Sequence, residues 1–206
     1  MERAPRPVHP GRTVSSLLIV DDHAAVRTGV AALVQTEPEL EVLACAADAE
    51  TALDLVEESA PDLVVIDVHL PGEDGLSLCL RLNGAQPRPG LVLYSAFADD
   101  LLAVLALVAG ADALVPKSAE PDLLRDTLLM VADGRRPAPL PSPSALATVG
   151  AALEPDDLPI LGMLVHGTPP DEVAATLGIS PQWLLARRWA MLRRLTRRRS
   201  RRGAPV

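Results

Sequence analysis

Charged and hydroxyl side chains follow four short apolar runs in the first two thirds of this chain. Asp21 and Asp22 come after the first run, and Asp67 ends a later one. Ser95 ends the next run, and Lys117 follows the last. Such runs are typical of buried parallel strands, whose carboxyl ends meet at one edge of an open sheet. The sequence therefore predicts a crevice containing three carboxylates, a hydroxyl and an ammonium group.

That crevice has the chemistry of a phosphate acceptor. Three nearby carboxylates repel one another and raise one another's pKa. Mg²⁺ relieves the repulsion, because it prefers oxygen ligands and retained waters. A bound metal also holds phosphoryl oxygens, so Asp67 would attack phosphorus and become an aspartyl phosphate. Lys117 would place its charge on a phosphoryl oxygen, and the Ser95 hydroxyl would donate a hydrogen bond to the phosphate.

Each residue alone has a simpler interpretation. Acidic residues at a strand–helix junction cap the following helix well, which would account for Asp21 and Asp22. A lysine after a strand is usually a surface residue, which would account for Lys117. The joint occurrence of these residues at several strand ends favours a phosphoacceptor site.

Strand and helix patterns alternate five times before residue 134. The candidate strands are 17–21, 41–46, 62–67, 91–95 and 112–116, and the candidate helices are 24–36, 48–59, 74–83, 98–109 and 120–133. This alternation predicts an α/β fold with a five-stranded parallel, doubly wound sheet covered by helices on both faces.

Composition divides the chain into five segments. Residues 1–15 are predicted to be a disordered N-terminal segment, and residues 16–134 form the α/β domain. Residues 135–150 are predicted to be a proline-rich linker, of which 135–144 are expected to be extended and fairly stiff. A small all-α domain spans 151–196, and an arginine-rich tail spans 197–206.

Three helix patterns fill the small domain, at 155–166, 170–177 and 181–195. The second and third are separated by Gly178, Ile179 and Ser180. A short turn with glycine followed by a serine cap is typical of a helix-turn-helix.

Charge is distributed unevenly along the 206 residues. The net charge is −8, yet the segment from Arg187 onward holds nine arginines and no acid. A basic end on an acidic body favours binding to a polyanion such as nucleic acid, although a solvated tail that aids solubility has the same composition. The two cysteines lie in no ligand cluster, and neither a signal peptide nor an apolar membrane span is found. A cytoplasmic protein with no membrane partner is expected.

Residues 17–133 resemble the receiver domain of two-component response regulators. The matching pieces are LLIVDDH, VVIDVHLPGEDGL, LYSA and AGADALVPKS. The resemblance implies a flavodoxin-like fold in which a sensor histidine kinase phosphorylates Asp67. It also implies that Ser95 and Lys117 are the family's hydroxyl and lysine. The family often has an aromatic switch residue three positions before the lysine, and Leu114 occupies that position.

The same resemblance implies a Mg²⁺ site. Asp22 and Asp67 would bind the metal directly, and Asp21 would bind it through water. The backbone carbonyl of His69 would complete the site.

Residues 153–195 resemble the helix-turn-helix domain of NarL/LuxR (FixJ)-type regulators. The matching residues are Leu153, Pro155, Ile160, Leu161, Leu164, Gly167, Glu172, Val173, Ala174, Leu177, Gly178, Ile179, Ser180, Leu184, Leu192 and Leu195. The resemblance implies transcriptional control through DNA, with a homodimer formed on activation.

The recognition helix departs from that family. Its usual Thr-Val-Lys-Asn-His start is replaced by residues 183–187, and Leu185 and Ala186 cannot make polar contacts with base edges. Arginines remain to contact phosphates or guanines, and the predicted DNA-binding residues are Arg187, Arg188, Arg193 and Arg194. A solvated helix face would account for the same arginines.

The main hypothesis is a response regulator, not an enzyme, in which phosphorylation shifts the face of helix 98–109 and alters dimerisation or releases the DNA-binding domain. An alternative is a phosphorylation-dependent protein-interaction module whose degenerate helix-turn-helix reads no specific DNA. A phosphatase that uses an aspartyl phosphate is a third possibility. It would need a second acid two residues after Asp67, where His69 stands.

Overall fold

The computed structural model of this protein describes residues 14–138 and 140–201, with side chains up to residue 197. Of the segment 1–15 that was predicted to be disordered, residues 1–13 lie outside the described residues, as does the end of the arginine-rich tail, whereas Ser15 belongs to the first strand. The α/β domain comes first in the described chain, and a small all-α domain follows it.

Five parallel strands form one sheet, as predicted. They are β1 (Ser15–Val20), β2 (Leu40–Ala46), β3 (Leu63–Asp67), β4 (Gly90–Ser95) and β5 (Ala113–Pro116). Their spatial order is β2-β1-β3-β4-β5, and every neighbouring pair is parallel. All five residues of β3 are buried, because a central strand with helices on both faces has no side exposed to water.

Five helices connect and cover the strands. They are α1 (Ala24–Val34), α2 (Ala49–Ser59), α3 (Gly75–Leu82), α4 (Asp100–Ala109) and α5 (Pro121–Ala132). Three of them begin after an aspartate whose carboxylate accepts a hydrogen bond from a backbone amide of the first turn. These aspartates are Asp48, Asp74 and Asp99, with distances of 2.7 to 2.9 Å. Such caps satisfy amides that the helix itself leaves unpaired.

Four helices form the second domain: α6 (Pro143–Gly150), α7 (Asp157–Val165), α8 (Pro170–Leu177) and α9 (Pro181–Arg201). The helix-turn-helix is present between α8 and α9, with Gly178 at a φ of 66°. The Ser180 hydroxyl accepts a hydrogen bond from the amide of Trp183 at 3.1 Å. Each of these residues therefore has the turn or capping role that its type favours.

The predicted linker 135–150 contains a helix, because residues 143–150 form α6, and the extended conformation expected for 135–144 is wrong for its last two residues. Ser142 caps this helix by accepting a hydrogen bond from the amide of Ala145. Pro143 occupies the first helical position, where a missing amide costs nothing. The last of the prolines that suggested an extended chain, Pro143, therefore marks the start of a helix.

Helix α4 is enclosed by both domains. Its residues are almost all apolar, and every residue from Leu102 to Ala109 is buried. It contacts α3 and β5 of the first domain and α6, α7 and α9 of the second. One continuous apolar cluster runs from the sheet through α4 into the small domain. A helix that is apolar all round is expected to be buried in this way.

None of the described helices combines the length and the hydropathy that crossing a bilayer would require.

The position of α4 predicts which leucines stabilise the fold. The Leu105 side chain has no exposed surface, whereas Leu158 on α7 is 45% exposed. We expect Leu105→Ala to lower the free energy of unfolding by about 2–5 kcal/mol, because it leaves a cavity in a packed core. The matched change Leu158→Ala should cost no more than about 0.5 kcal/mol. Urea unfolding followed by circular dichroism measures both values, and equal losses would contradict the enclosed position of α4.

Candidate acidic site

The carboxyl ends of β1, β3 and β5 bring two acids and one lysine together. Lys117 Nζ lies 2.6 Å from Asp21 Oδ2 and 2.8 Å from Asp67 Oδ2. Asp21 follows β1 directly and Asp67 ends β3, and these two strands are neighbours in the sheet. The structure thus places all three residues in one crevice, as their positions at strand ends led us to expect.

The two carboxylates are buried, so their charge needs a partner. Asp21 and Asp67 are 2% and 3% exposed. Burial alone would lower the pKa of Lys117, but hydrogen bonds to Asp21 and Asp67 outweigh burial and raise that pKa above its usual value. Lys117 therefore stays protonated at neutral pH and compensates part of the negative charge.

Lys117 compensates only part of the negative charge of the two carboxylates. Another buried acid in this structure, Asp112, provides a comparison. Asp112, beside the amino ends of β4 and β5, accepts two hydrogen bonds from Arg88 at 2.9 and 3.0 Å and lies 3.1 Å from Arg136 Nε. There one acid faces two cations. At the carboxyl edge two buried acids share Lys117, and Asp67 Oδ1 has no hydrogen-bond partner among the described residues. An unpaired buried carboxylate oxygen is costly unless a further cation binds it.

The donor set at this edge fits a hard divalent cation. Asp21, Asp22, His23 and Asp67 each offer a ligand atom, and these atoms lie within 4.8 Å of one another. Three of the four donors are carboxylates, which suit Mg²⁺ well. The crevice thus has the oxygen donors and the uncompensated negative charge that such an ion requires.

His23 is a member of this cluster that was not predicted from the sequence. Its amide donates a hydrogen bond to Asp21 Oδ1 at 2.9 Å, and its Nδ1 lies 2.5 Å from Asp22 Oδ1. It immediately precedes α1 and is the third residue of the Asp-Asp-His motif, which was the available signal.

Ser95 lies at the same edge of the sheet. Its side chain is fully buried, and its backbone carbonyl accepts a hydrogen bond from the Lys117 amide at 2.8 Å. The Ser95 hydroxyl accepts a bond from the amide of Phe97 at 3.3 Å. A backbone hydrogen bond therefore links the end of β4 to Lys117, whose side chain carries the ammonium group.

His69 follows Asp67 by two residues and is half-buried. Its ring meets the ring of Phe97 edge to face, with the centroids 6.3 Å apart. Its Nε2 has no hydrogen-bond partner in the described part of the chain. The metal-binding role of its backbone carbonyl stays a prediction.

Gly75 constrains the backbone of Asp67, a role that was not predicted from the sequence. A Cβ at Gly75 would lie 1.9 Å from the backbone oxygen of Asp67. The Gly75 amide donates a hydrogen bond to the carbonyl of Val68 at 2.9 Å. No side chain fits at this close approach, so α3 begins directly against the strand end that carries the acid.

Leu114 is half-buried and packs against the apolar core. It occupies the position at which an aromatic switch residue is common in the resembling family. A ring that turns is therefore absent from that position.

Two of the four predicted DNA-binding arginines form ion pairs within the small domain. Arg187 donates to Asp157 Oδ1 at 2.8 Å and to Glu154 Oε2 at 3.1 Å. Arg194 also pairs with Glu154. Arg193, in contrast, is exposed. The structure thus leaves Arg193 as the member of the set most accessible to a polyanion.

The predicted DNA contact of Arg188 does not fit this arrangement. Arg188 is 3% exposed and lies between the two domains. Its Nε donates to the carbonyl of Val108 at 2.9 Å, and its Nη1 donates to Asn83 Oδ1 at 2.8 Å. Burial lowers the pKa of Arg188 to about 10, so the guanidinium is still charged at neutral pH. Its hydrogen-bonding capacity is turned toward the first domain and away from solvent.

A family model described as the response regulator receiver domain matches residues 17–129. The nitrate/nitrite response regulator protein NarL of Escherichia coli (strain K12) is 29% identical over 181 residues, which cover 81% of this chain and 82% of that protein. Its similarity extends into the small domain.

Solved structures agree with this assignment. A LuxR-family two-component response regulator from Aurantimonas sp. SI85-9A1 is 32% identical, has a TM-score of 0.58, and covers 60% of this chain and 89% of its own. RcsB of Salmonella enterica serovar Typhimurium, solved bound to a promoter, is 16% identical and has a TM-score of 0.57. It covers 89% of this chain and 93% of its own, and at that identity it shows the fold alone. This chain belongs to the response regulator receiver family, as a receiver joined to a helix-turn-helix domain of the NarL/LuxR type.

Proposed function

We propose that this response regulator accepts a phosphoryl group on Asp67 from a sensor histidine kinase and thereby controls transcription. One observation carries the proposal: two buried acids share Lys117, while Asp67 Oδ1 has no partner among the described residues. A carboxylate oxygen held in this way is available as a nucleophile. Its attack on phosphohistidine would form an O–P bond and break the N–P bond, and the electron pair would leave with the imidazole.

Mg²⁺ is the proposed cofactor, held by Asp22 and Asp67 directly, by Asp21 through water and by the His69 carbonyl. When bound, it would neutralise carboxylates and phosphoryl oxygens. The side chain of His23 adds a fourth group to this cluster. Lys117 would exchange its bond to Asp67 for a bond to the new phosphoryl group, and the Ser95 hydroxyl would donate to another phosphoryl oxygen.

We propose no substrate turnover by this chain. A phosphatase that uses an aspartyl phosphate needs an acid placed to protonate its leaving group. His69 stands two residues after Asp67, where such an acid would be required. The phosphoryl group would act as a signal in a cytoplasmic phosphorelay.

DNA binding through the small domain would depend mainly on phosphate contacts. Arg193 is exposed, whereas Leu185 and Ala186 are exposed without polar groups to read base edges. Contacts to phosphates attract DNA without selecting a sequence. Dimerisation on activation would raise the affinity for DNA, because two weakly binding small domains would contact the same DNA molecule.

A second candidate function rests on two exposed apolar side chains of α9. Trp183 is 40% exposed and Leu185 is 39% exposed. Exposed tryptophan is a common anchor of protein interfaces, and the leucine beside it has no polar group to read a base edge. The alternative is therefore a phosphorylation-dependent protein-interaction module that reads no specific DNA.

The proposed phosphorylation site gives a direct prediction. A small phosphodonor with Mg²⁺ should phosphorylate wild type once per chain, and Asp67→Asn should abolish the signal because the nucleophilic oxygen is lost. The matched control is Asp54→Asn, since Asp54 is exposed on α2 and should leave labelling unchanged. Intact-protein mass spectrometry measures the result. Equal labelling of wild type and Asp67→Asn would rule the site out.

Removing the shared cation should destabilise the fold. Lys117→Met leaves two buried carboxylates facing each other, so the free energy of unfolding should fall by about 3 kcal/mol at neutral pH. Mg²⁺ should restore part of that loss by binding the same oxygens. Urea unfolding with and without Mg²⁺ tests both effects. No rescue by Mg²⁺ would contradict the metal site.

DNA binding can be tested on one arginine. Arg193→Ala should weaken binding about equally across DNA sequences and reduce the salt slope by about one. The control is Arg81→Ala, whose arginine lies on α3 beside Glu73 and should have no effect. Fluorescence anisotropy at several salt concentrations measures both. A sharp, sequence-dependent footprint at physiological salt would exclude the interaction-module alternative, and absence of any DNA binding would favour it.

A further inference from the structure

The outer face of α4 is apolar and is covered within the same chain. In a doubly wound fold a helix needs one apolar side to pack on the sheet, and its other side normally meets water. All eight residues from Leu102 to Ala109 are nevertheless buried. The side of α4 away from the sheet packs against α6, α7 and α9. An uncovered face of this size would be an exposed apolar patch of the kind that soluble monomers rarely tolerate.

Polar contacts hold both ends of this helix to the small domain. At its start, the Ser142 hydroxyl donates a hydrogen bond to the Asp100 carboxylate. At its end, Arg188 Nε donates to the Val108 carbonyl, one of the carbonyls that a helix leaves unpaired. The start and the end of α4 therefore each have a bond to a different element of the second domain.

Arg188 fits this closed arrangement through its Nε and Nη1, while its buried Nη2 has no hydrogen-bond partner among the described residues. Its guanidinium has no carboxylate partner among the described side chains and bonds instead to a carbonyl and an amide oxygen. The negative end of the α4 dipole favours a cation there. A Cβ at Gly110 would lie 2.5 Å from Arg188 Nη2, so the glycine that ends α4 makes room for the side chain. The arginine, the helix end and the glycine thus form one joint.

Asn83 extends this joint to α3. Its Oδ1 accepts the bond from Arg188, while its Nδ2 donates to the Gly110 carbonyl at 3.2 Å. Arg88 donates to the same carbonyl at 2.8 Å. Separating the domains would break the Arg188 bonds and leave the Asn83 oxygen without this donor. Two elements of the first domain, α4 and the end of α3, therefore contribute to seating α9.

We infer that the outer face of α4 is a permanent docking surface for α9 of the same chain, so the small domain stays docked in both phosphorylation states. The signal would then reach α9 as a shift of α4, which begins five residues after Ser95, and not as release of the domain. A second copy of the chain would be excluded from this face and would have to pair through another surface. The signalling part rests on the proposed function, whereas the docking itself does not.

Tryptophan and cysteine residues already present in the chain can report whether α9 stays docked on α4. The chain has two tryptophans and two cysteines, so Trp183→Phe with Cys45→Ser leaves Trp189 and Cys79. Trp189 packs against the shared core. Cys79 is fully buried on α3, with its Sγ 3.7 Å from the Ala109 carbonyl. Burial raises the pKa of Cys79 to about 12, so the thiol is protected wherever α4 and α9 stay in place.

The first experiment follows urea unfolding of this double variant. We expect the far-ultraviolet circular dichroism and the Trp189 fluorescence to change in one coincident transition, as for a single cooperative unit. A Trp189 transition that precedes the loss of sheet structure would overturn the inference, because α9 would then leave before the receiver unfolds. This measurement does not involve phosphorylation.

The second experiment labels Cys79 with a thiol reagent, with and without beryllofluoride and Mg²⁺. We expect the labelling rate to change by less than about threefold, because docking persists. A rise of about tenfold or more on adding beryllofluoride would show release and would overturn the inference. If beryllofluoride does not bind at all, the proposed function fails, while the urea transitions still decide the docking.

Charge variants on α9 supply the matched controls. Arg188→Asp would place a carboxylate against backbone carbonyls, and Cys79 labelling should rise about tenfold. Arg193→Asp makes the same change on an exposed position of the same helix and should leave the rate unchanged. Arg188→Met keeps apolar packing and should stay docked, which guards against loss of folding in the aspartate variant. Equal rates for Arg188→Asp and Arg193→Asp, with both folded, would overturn the role of the joint.

Discussion

Two carboxylates buried beside a single ammonium group form the constraint on which the first domain depends. Asp21 and Asp67 reach each other because β1 and β3 are neighbouring parallel strands, and Lys117 reaches both because β5 ends at the same edge. Burial makes each charge costly, so the edge is stable only with a cation in place. The excess of negative charge at this edge lowers the stability of the fold. It also leaves Asp67 Oδ1 without a hydrogen-bond partner among the described residues, and therefore available for chemistry. Asp112 shows the structural contrast, since its two arginines balance it fully.

Much of this arrangement followed from local sequence patterns. Strand order was not needed to predict that acids at several strand ends would meet, because all parallel strands end at one edge. Helix caps at Asp48, Asp74 and Asp99 follow from residue type alone. Gly75 was missed because its role is a close approach between backbones, which no periodicity reveals. His23 was missed because an exposed histidine after two acids is equally well explained as a helix-start residue.

The relation between the domains was beyond prediction from local patterns. The prolines before residue 144 suggested an extended linker, yet one of them, Pro143, begins α6. Arg188 was predicted to contact DNA, because the carbonyl that accepts its hydrogen bond is 80 residues earlier in the chain and no local pattern points to it. The all-apolar pattern of α4 did carry the signal of complete burial. Recognising it required asking what would cover the second side of that helix.

Coverage of α4 by the last helices also affects how the chain folds while it is being synthesised. The first domain leaves the ribosome before α9 has been made, and domains generally fold in that order. During that interval the outer face of α4 has neither α7 nor α9 to pack against. Nascent receiver domains would therefore expose an apolar helix face until translation nears its end. Chaperones that bind exposed apolar surfaces would have their main opportunity during that interval.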